Sequence, residues 1–381
     1  MSVVNLLYIT RPAVGGMREH VCSLITQLNR NRYHPALAAP DDTWWRERCR
    51  SLGIDFFPLA ISDGLRPLAD YYACQALGSL LDQGHFSLLH LHGAKSGLVA
   101  LAASRSRPVK VVYTAHGFPA RPTVHPLKQK LYAWGEVKVA ARCHRTIAVS
   151  QAVAKEMVRR CRGLAGKIIV IPNGIDLDKF NPAVPGDPFR RELGLPRGVY
   201  LVGTVGRLVP EKGLEFLLEA IPLVRHHLAN THFVITGDGP LRQYLEEQAR
   251  SLGIADAVTF TGYRQDITRV LAALDLFLLP SVSEGQSVSL LEAMAMAKPS
   301  VVTRVGGMVE LVGETGERGL VVGTRDPVSL ARAALSLLAD PEKRNRLGRS
   351  ARQHVERHYP LSKMAEKTEE VYDSLCGRDA G

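Results

Sequence analysis

The segment SVSEGQSVSLLEAMAMAKP, residues 281–299, decides how the second half of the chain folds. Its serines and Gly285 supply turn and helix-capping chemistry, and apolar residues then recur at the spacing of a buried helix that Pro299 soon follows. Glu284 stands just before this helix and Glu292 stands inside it. Carboxylates at such places are ordinarily caps or surface charges, so two of them around one buried helix raise the question of what they bind.

Apolar strand-like runs alternate with helical patterns along the chain, which predicts parallel βαβ units. Strands are expected at 3–9, 88–91, 109–114, 146–149, 167–171, 200–205, 232–236, 257–260, 276–279 and 300–303. Ser150 is expected to cap a helix over 151–161. Residues 172–197 are rich in Pro, Gly, Asp and Asn, which predicts a linker. We therefore expect an α/β protein with two Rossmann-like doubly wound domains, 1–180 and 198–358, facing across a cleft.

Length and composition limit the class of protein. The chain has 381 residues, 46% of them hydrophobic, which suits two globular domains. No apolar run approaches the ~18 residues of a membrane span. The N-terminal segment lacks the basic region and cleavage site of a secretory signal. The six cysteines show no C-x-x-C or zinc spacing, so reduced thiols in a cytoplasmic protein are expected.

The net charge of +11 is concentrated in the first half. Residues 1–180 hold 24 Lys and Arg against 12 Asp and Glu, or +12, whereas residues 181–381 hold 24 against 25, or −1. A solvated surface and an anionic partner explain this equally well. A membrane surface or phosphorylated lipid ranks above nucleic acid, because no nucleic-acid-binding signature is present. Candidate contacts are the RRCR cluster at 159–162, Lys128 and Lys130.

Glycine loops follow several predicted strands. Gly15 and Gly16 after the first strand allow a ligand to approach the backbone, although a plain tight turn is the favoured explanation for two glycines alone. Neither G-x-G-x-x-G nor G-x-x-x-x-G-K-[ST] is present, which argues against a dinucleotide dehydrogenase and a P-loop NTPase. In the second half, the loop with Arg207 and Lys212 suits a diphosphate. The loops at Gly237 and 262–264 would join it at one edge of the sheet.

Two further positions have a structural and a functional interpretation. His116 follows a strand and precedes a glycine, so a structural role and a hydrogen bond to a sugar or phosphate oxygen are equally favoured. Asp176 and Asp178 form an Asp-x-Asp, which can hold a divalent metal. Because they lie in the expected linker, turn capping is the favoured interpretation.

The motifs VGRLVPEKG, ITGDGPL, LPSVSEGQSVSLLEAMAMAKPSVVT, VGGMVELV, AVSQAVAKEM and IPNGID resemble those of the family-4 (group 1) retaining glycosyltransferases of the GT-B fold. The resemblance covers nearly the whole chain. It implies that the C-terminal domain binds the nucleotide-sugar and that the N-terminal domain binds the acceptor. It also implies that a last helix, at about 361–376, packs back on the N-terminal domain.

The resemblance also implies roles for individual residues. Arg207 and Lys212 match the pair that neutralises the donor diphosphate, Glu292 the glutamate on the ribose, and Glu284 the one on the transferred sugar. His116 matches a histidine near that sugar. The catalytic set is therefore Glu284, His116, Arg207 and Lys212, and the remaining donor-binding positions are Gly15, Gly16, Gly237, Tyr263, Arg264, Gly285, Gln286, Ser287 and Glu292. One carboxylate would thus hold each hydroxyl-rich end of a donor whose diphosphate lies at the helix N-terminus.

The implied activity is transfer of a hexosyl or N-acetylhexosaminyl group from a UDP-sugar to an acceptor hydroxyl, on a lipid-linked or polysaccharide precursor. No cofactor and no metal are implied. Peripheral association with the inner face of the membrane stays open. Two departures from the family pattern are Ala297, where glycine is usual, and EGQSVS, which puts the donor sugar in doubt. The alternatives are a GT-B sugar-nucleotide epimerase and a non-catalytic nucleotide-sugar-binding protein.

Overall fold

The computed structural model describes residues 3–12, 15–62, 64, 66–117 and 126–377, which form two compact units. The first unit takes the described residues up to 117, residues 126–174 and residues 361–377, and the second takes 175–360. The central strands of both units are buried on both faces, as in the strand Val4–Thr10, where Leu6, Leu7, Tyr8 and Ile9 are inaccessible to solvent. Such strands belong to parallel sheets covered by helices on either side.

In the first unit, the described residues form a sheet of seven parallel strands in the order β3-β2-β1-β4-β5-β6-β7. Its elements are β1 Val4–Thr10, α1 Gly16–Gln27, β2 Tyr33–Ala39, α2 Thr43–Leu52, β3 Asp55–Pro58, α3 Pro67–Gln83, β4 Leu88–His92, α4 Ala94–Ala103, β5 Lys110–Ala115, α5 Pro126–Arg142, β6 Arg145–Ala148, α6 Gln151–Arg160 and β7 Ile168–Val170. Ser150 caps α6 as expected, since its hydroxyl accepts a hydrogen bond from Val153 N at 3.2 Å.

The second unit repeats this plan with a sheet of six parallel strands in the order β10-β9-β8-β11-β12-β13. Its elements are α7 Asp187–Glu192, β8 Tyr200–Val205, α8 Leu214–His227, β9 Thr231–Thr236, α9 Arg242–Ser251, β10 Val258–Gly262, α10 Ile267–Ala273, β11 Leu276–Leu279, α11 Val288–Ala295, β12 Ser300–Thr303, α12 Met308–Val312, β13 Leu320–Val322, α13 Pro327–Leu338 and α14 Pro341–His358. The expected α/β class with two doubly wound units is therefore confirmed. The strands β2, β3 and β13 were not anticipated from the sequence.

The last helix, α15 (Leu361–Cys376), belongs to the first unit. Its apolar face enters the core beside β1, and the hydroxyl of Tyr372 lies 3.1 Å from the Tyr8 hydroxyl and 2.5 Å from His90 Nδ1. The Tyr33 hydroxyl donates to Asp373 Oδ1 at 2.6 Å. Burial holds the pKa of Tyr372 well above its ordinary value, so its phenol stays protonated and can serve this network as a donor.

The chain passes from one unit to the other at Gly174 and Ile175, within the segment 172–197 that the sequence analysis assigned to a linker. Most of that segment packs on the second unit. Phe180 and Phe189 are buried in its core, and Ile175 N donates to Tyr359 O at 2.8 Å. The first unit accordingly ends its main segment at 174 rather than 180. The Pro and Gly content predicted irregular backbone, but it did not reveal that parts of this segment are buried in the core of the second unit.

Helix α11 ends on a residue in the left-handed conformation. Ala297 has φ 55°, Ala297 N donates to Met294 O at 3.0 Å, and Lys298 N donates to Ala293 O at 2.9 Å. These two bonds are those of a Schellman motif, whose left-handed position usually holds glycine because a Cβ is disfavoured there. The alanine at this departure from the family pattern therefore affects the end of the helix.

We expect Ala297→Gly to stabilise the protein by about 1 kcal/mol, because glycine adopts the left-handed conformation without the Cβ penalty. Thermal unfolding measures the effect. The matched control is Ala333→Gly within α13, where a helical alanine is lost and destabilisation of about 0.5–1 kcal/mol is expected. If both variants were destabilised alike, residue 297 would not be held left-handed in solution.

Candidate functional site

Four loops meet at the carboxyl edge of the second unit's sheet. They follow β8, β9, β11 and β12, and the strand order changes direction between β8 and β11. In open α/β sheets this switch point is where ligands bind, because the loops on either side of it lead away in opposite directions. Most of the donor-site residues expected from the sequence lie on these loops or at the end of β10.

Glycines allow the loops to touch through their backbones. A Cβ added to Gly237, which has φ 134°, would lie 1.9 Å from Gly206 O. A Cβ added to Gly306, which has φ 50°, would lie 1.9 Å from Glu284 O. Gly307 N also donates to Gly285 O at 2.8 Å. Any larger residue at Gly237 or Gly306 would force the backbone apart, so these glycines fix the positions of the neighbouring side chains.

Lys212 and Glu284 form an ion pair at this edge. Lys212 Nζ lies 2.5 Å from Glu284 Oε1, and the Ser281 hydroxyl donates to the same oxygen at 2.9 Å. The side chains are only 18% and 12% exposed. The sequence analysis assigned them to different parts of a donor, whereas the structure joins them directly. A ligand that recruits either charge must therefore replace part of this pairing.

Helix α11 begins beside this pair. The Ser287 hydroxyl accepts from Leu290 N at 3.4 Å and lies 3.0 Å from Ser289 Oγ, so Ser287 is the helix cap, as expected. Gly285, Gln286 and Ser287 are buried, and Glu292 is half-buried at the fifth helical position. The helix dipole places partial positive charge at this end, next to Glu284.

The other residues expected to contact the donor differ in their exposure and in their contacts. Arg207 is exposed on the loop that carries Lys212, and Tyr263 is 65% exposed just after β10. Arg264 is instead held by two carboxylates: its Nε and Nη2 donate to Asp266, each at 2.8 Å, and its Nη1 donates to Glu192 at 2.5 Å. These contacts leave little of its guanidinium for a ligand, so this geometry favours a structural role for Arg264.

The first unit has its own switch point, between β1 and β4. Gly15, with φ 73°, precedes α1, and Gly16 is the first residue of that helix. His92 ends β4, and His116 follows β5. The sequence analysis singled out Gly15, Gly16 and His116 here, and the structure adds a group of buried histidines around His116.

His20, His90, His92 and His116 form this group, which we call the histidine cluster. His92 Nδ1 lies 3.0 Å from His116 Nε2, and His20 Nδ1 lies 2.9 Å from Asn173 Oδ1. Burial and the neighbouring imidazoles lower the pKa of His92 and His116 well below the usual value, and burial lowers that of His20 to about 4. The cluster is therefore neutral at physiological pH. The alternation in LHLHG, which puts His90 and His92 on one face of β4, is the signal that could have revealed it.

Three members of the cluster approach the arrangement of a metal site. One ring nitrogen from each of His20, His92 and His116 lies within 4.8 Å of the others. Imidazole nitrogens at such spacing suit zinc and similar ions. The hydrogen bond between His92 and His116 occupies one nitrogen of each ring and leaves the other. In the described part of the chain, Nε2 of His20 and Nε2 of His92 are buried and have no hydrogen-bond partner. We therefore interpret the cluster as closely packed neutral imidazoles, two of which are hydrogen-bonded to each other.

Glu136 lies at the same edge of the first unit and was not anticipated. Its carboxylate accepts hydrogen bonds from the Tyr113 hydroxyl and from Ala94 N. Burial raises its pKa to about 7, against the opposing effect of Arg11. It can therefore exchange a proton near neutral pH, which suits contact with a hydroxyl-bearing ligand.

Two expectations about charged residues can be compared with the structure. Asp176 Oδ1 accepts from Asp178 N at 3.1 Å and from Lys179 N at 2.9 Å, so this aspartate caps a turn, as the favoured interpretation held. In the RRCR cluster, Arg159 and Arg160 both bind Glu156 at 2.7 Å, which neutralises part of its charge. The side chain of Lys128 falls outside the described residues.

Family models match both halves of the chain. The model described as Glycosyltransferase Family 4 covers residues 14–179, and that described as Glycosyl transferases group 1 covers residues 200–340.

Curated relatives cover most of the chain. The UDP-Gal:alpha-D-GlcNAc-diphosphoundecaprenol alpha-1,3-galactosyltransferase of Escherichia coli is 29% identical over 83% of this chain and 83% of its own length. A D-inositol 3-phosphate glycosyltransferase of Thermomonospora curvata is 31% identical over 72% of this chain and 68% of its own.

Solved structures match the fold over nearly the whole chain. Anabaena HepE in complex with UDP and glucose superposes with a TM-score of 0.85 at 22% identity, covering 97% of this chain and 99% of that one. WaaG, a glycosyltransferase involved in lipopolysaccharide biosynthesis, does so with a TM-score of 0.77 at 17% identity and the same coverage. The chain thus belongs to the group 1, family 4 glycosyltransferases, GT-B-fold enzymes that act on nucleotide sugars.

Proposed function

We propose that this chain is a retaining glycosyltransferase that moves a sugar from a UDP-sugar to an acceptor hydroxyl. The observation that carries the proposal is the pairing of Lys212 with Glu284 at the start of α11, at the switch point of the second unit. A cation, a carboxylate and a helix N-terminus at one place suit a ligand with both a diphosphate and hydroxyls. HepE has been crystallised with UDP-glucose, which supports UDP as the nucleotide.

The donor roles follow from charge and position. Lys212 and Arg207 bind the diphosphate with the amide groups of α11. Glu292 accepts from the ribose hydroxyls, Glu284 accepts from the sugar hydroxyls, and Tyr263 stacks near the base. When the diphosphate enters, Lys212 shifts toward it and Glu284 becomes available to the sugar. The exchange replaces one charge-assisted contact with another.

The chemical step follows from the same arrangement. The leaving diphosphate oxygen takes the acceptor proton on the face from which the acceptor attacks, so the product keeps the anomeric configuration. The protein then supplies orientation and charge stabilisation instead of a nucleophile. Negative charge grows on the diphosphate as the glycosidic bond breaks, and Lys212 and Arg207 stabilise it.

The acceptor is proposed to be lipid-linked. The E. coli relative acts on a sugar attached to diphosphoundecaprenol. Residues 1–180 of this chain have a net charge of +12. A basic surface favours a phosphorylated lipid at the inner face of an anionic membrane. No described helix is long and apolar enough to cross a bilayer. The association we propose is therefore peripheral.

The alternatives have separate tests. An epimerase converts UDP-sugar without an acceptor, so incubation with donor alone and analysis for an isomer identifies it. A non-catalytic binding protein gives neither transfer nor donor hydrolysis. Thermal-shift measurements against UDP-hexoses and UDP-N-acetylhexosamines identify the donor class, since a ligand of the folded state raises the unfolding temperature.

We expect transfer to be independent of divalent metal. Activity should survive EDTA, and the double variant Asp176→Asn with Asp178→Asn should bind UDP as the parent does, because asparagine can still cap the turn. Calorimetry with UDP and a transfer assay measure the two effects. Loss of activity in EDTA with recovery on adding Mn²⁺ would show that a metal bridges the diphosphate and would contradict this proposal.

We expect Glu284→Gln to lower turnover strongly while UDP binding persists. The sugar hydroxyls lose the carboxylate that accepts their hydrogen bonds, whereas the diphosphate still binds Lys212, for which Glu284 no longer competes. Glu292→Gln should weaken UDP itself, because its partner is the ribose. Each lost charge-assisted hydrogen bond should cost about 1.5–3 kcal/mol. Calorimetry gives the affinity for UDP, and saturating donor and acceptor give the turnover.

Lys212→Ala should reduce both UDP affinity and turnover, because the diphosphate is present in substrate and product and its charge grows during the reaction. The matched control for the glutamate variants is Glu247→Gln, an exposed position on α9, which should change neither quantity. If Glu284→Gln and Glu292→Gln weakened UDP equally and left turnover unchanged, the assignment of α11 to the donor site would be wrong.

A further inference from the structure

Exposed apolar side chains concentrate on three helices of the first unit. Of the thirteen large apolar side chains exposed in the described part of the chain, seven lie on α3, α4 and α5. We call this set the α3–α5 surface, and it consists of Leu68, Tyr71, Tyr72, Leu98, Leu127, Leu131 and Trp134. Single exposed apolar residues are ordinary, but a concentration on adjacent elements marks an interaction site.

The three helices are neighbours, since α4 packs against both α3 and α5. Leu127, Leu131 and Trp134 recur at i, i+4 and i+7, which places them along one side of α5. Leu68, Tyr71 and Tyr72 share a side of α3 for the same reason. Six of these residues lie in the N-terminal halves of their helices and Trp134 lies at the middle of α5. In a parallel βαβ unit the helices begin near the carboxyl edge of the sheet. The surface therefore lies toward the end of the unit that carries His116.

The charge around this surface is positive on the α5 side. In sequence α5 carries Lys128, Lys130, Lys138 and Arg142 against a single acidic residue, Glu136. Lys130 and Lys138 are exposed, and Lys138 Nζ lies 5.4 Å from the ring centroid of Trp134. Glu136 turns inward to Tyr113.

The acidic residues of α3 do not cancel this charge. Asp70 of α3 pairs with Lys95 of α4, and Asp82 of α3 pairs at 2.6 Å with Arg107, which follows α4. Lysines beside leucine and tryptophan are the composition of an interfacial helix on an anionic bilayer.

We propose that the α3–α5 surface docks on an anionic phospholipid bilayer, with Leu127, Leu131 and Trp134 entering the interface and Lys130 and Lys138 binding lipid phosphates. This inference rests on the proposed function, because a lipid-linked acceptor is confined to the membrane. The same helix that carries the apolar stripe carries Glu136, whose carboxylate lies beside Arg11 at the edge expected to receive the acceptor. The surface also replaces the RRCR cluster as the expected membrane contact, because two of those arginines bind Glu156.

Vesicle flotation of the full chain tests the proposal. The vesicles are pure phosphatidylcholine or phosphatidylcholine with phosphatidylglycerol, each at low and high salt. The parent protein should float with the anionic vesicles and dissociate as salt rises. Leu131→Ser with Trp134→Ser should lower the bound fraction about tenfold or more, because the apolar contact is lost. Lys130→Gln with Lys138→Gln should lower it about tenfold on anionic vesicles only.

The matched control is Leu223→Ser with Tyr244→Ser, which removes two exposed apolar side chains from the second unit and should leave flotation unchanged. UDP affinity together with the thermal unfolding profile of every variant shows that both units are folded. Equal flotation of the parent and the Leu131 and Trp134 variant would overturn the proposal. So would a parent that is dimeric in solution and becomes monomeric in that variant, because the surface would then bind a second copy of the chain.

Transfer assays separate this proposal from the proposed function. The Leu131 and Trp134 variant should lose activity toward a lipid-linked acceptor in vesicles and keep it toward a short-chain, water-soluble acceptor with the same head group. For the parent protein, activity on the soluble acceptor without vesicle binding would refute docking and leave the transferase function standing. Vesicle binding that depends on the α3–α5 surface, without transfer to either acceptor, would refute the function and leave docking standing.

Discussion

Direct contact between loop backbones at the carboxyl edge of the second unit is the constraint on which its site depends. Gly206 O and Gly237 are so close that no side chain fits between them, and the same holds for Glu284 O and Gly306. The loop after β8 is also tied to the loop after β11, because Val282 N donates to Glu211 O at 2.9 Å. The loops therefore support one another and hold Lys212 against Glu284. Loops that are tied together in this way lose less conformational entropy when they bind a ligand.

The Lys212–Glu284 pair allows this edge of the sheet to hold two largely buried charges. Each charge would be costly if it were buried alone, and pairing offsets that cost. A donor with a negative diphosphate next to a hydroxyl-rich sugar can satisfy both partners at once, whereas free phosphate can satisfy only the lysine. Under the proposed function, the pair would therefore favour the whole donor over its fragments. This is a specificity effect that neither residue would provide separately.

The sequence predicted the parts of the fold where local patterns and packing agree. The ten expected strands all appear, because each is a continuous apolar run bounded by turn residues. The strand β2 was missed because it contains Pro35 and three alanines, which are poor strand formers, and β3 was missed because it contains Asp55 and Pro58. The strand β13 was missed because its apolar run is only three residues long between Gly319 and Gly323. The capping by Ser287 and Asp176 is local and could be predicted. The Lys212–Glu284 contact joins residues 72 positions apart, and it depends on β8 lying beside β11, which no local pattern specifies.

The histidine cluster makes the stability of the first unit depend on pH. An imidazole in the unfolded chain binds a proton below a pH of about 6.5, whereas His20 in the fold does so only below about 4. Since the unfolded state takes up the proton first, the stabilisation is complete above the unfolded value and is lost as the pH falls between the two values. One such group lowers the free energy of unfolding by up to about 1.4 kcal/mol per pH unit in that window. His90, His92 and His116 are buried beside it and shifted in the same direction, so acidification destabilises the first unit through four neighbouring groups.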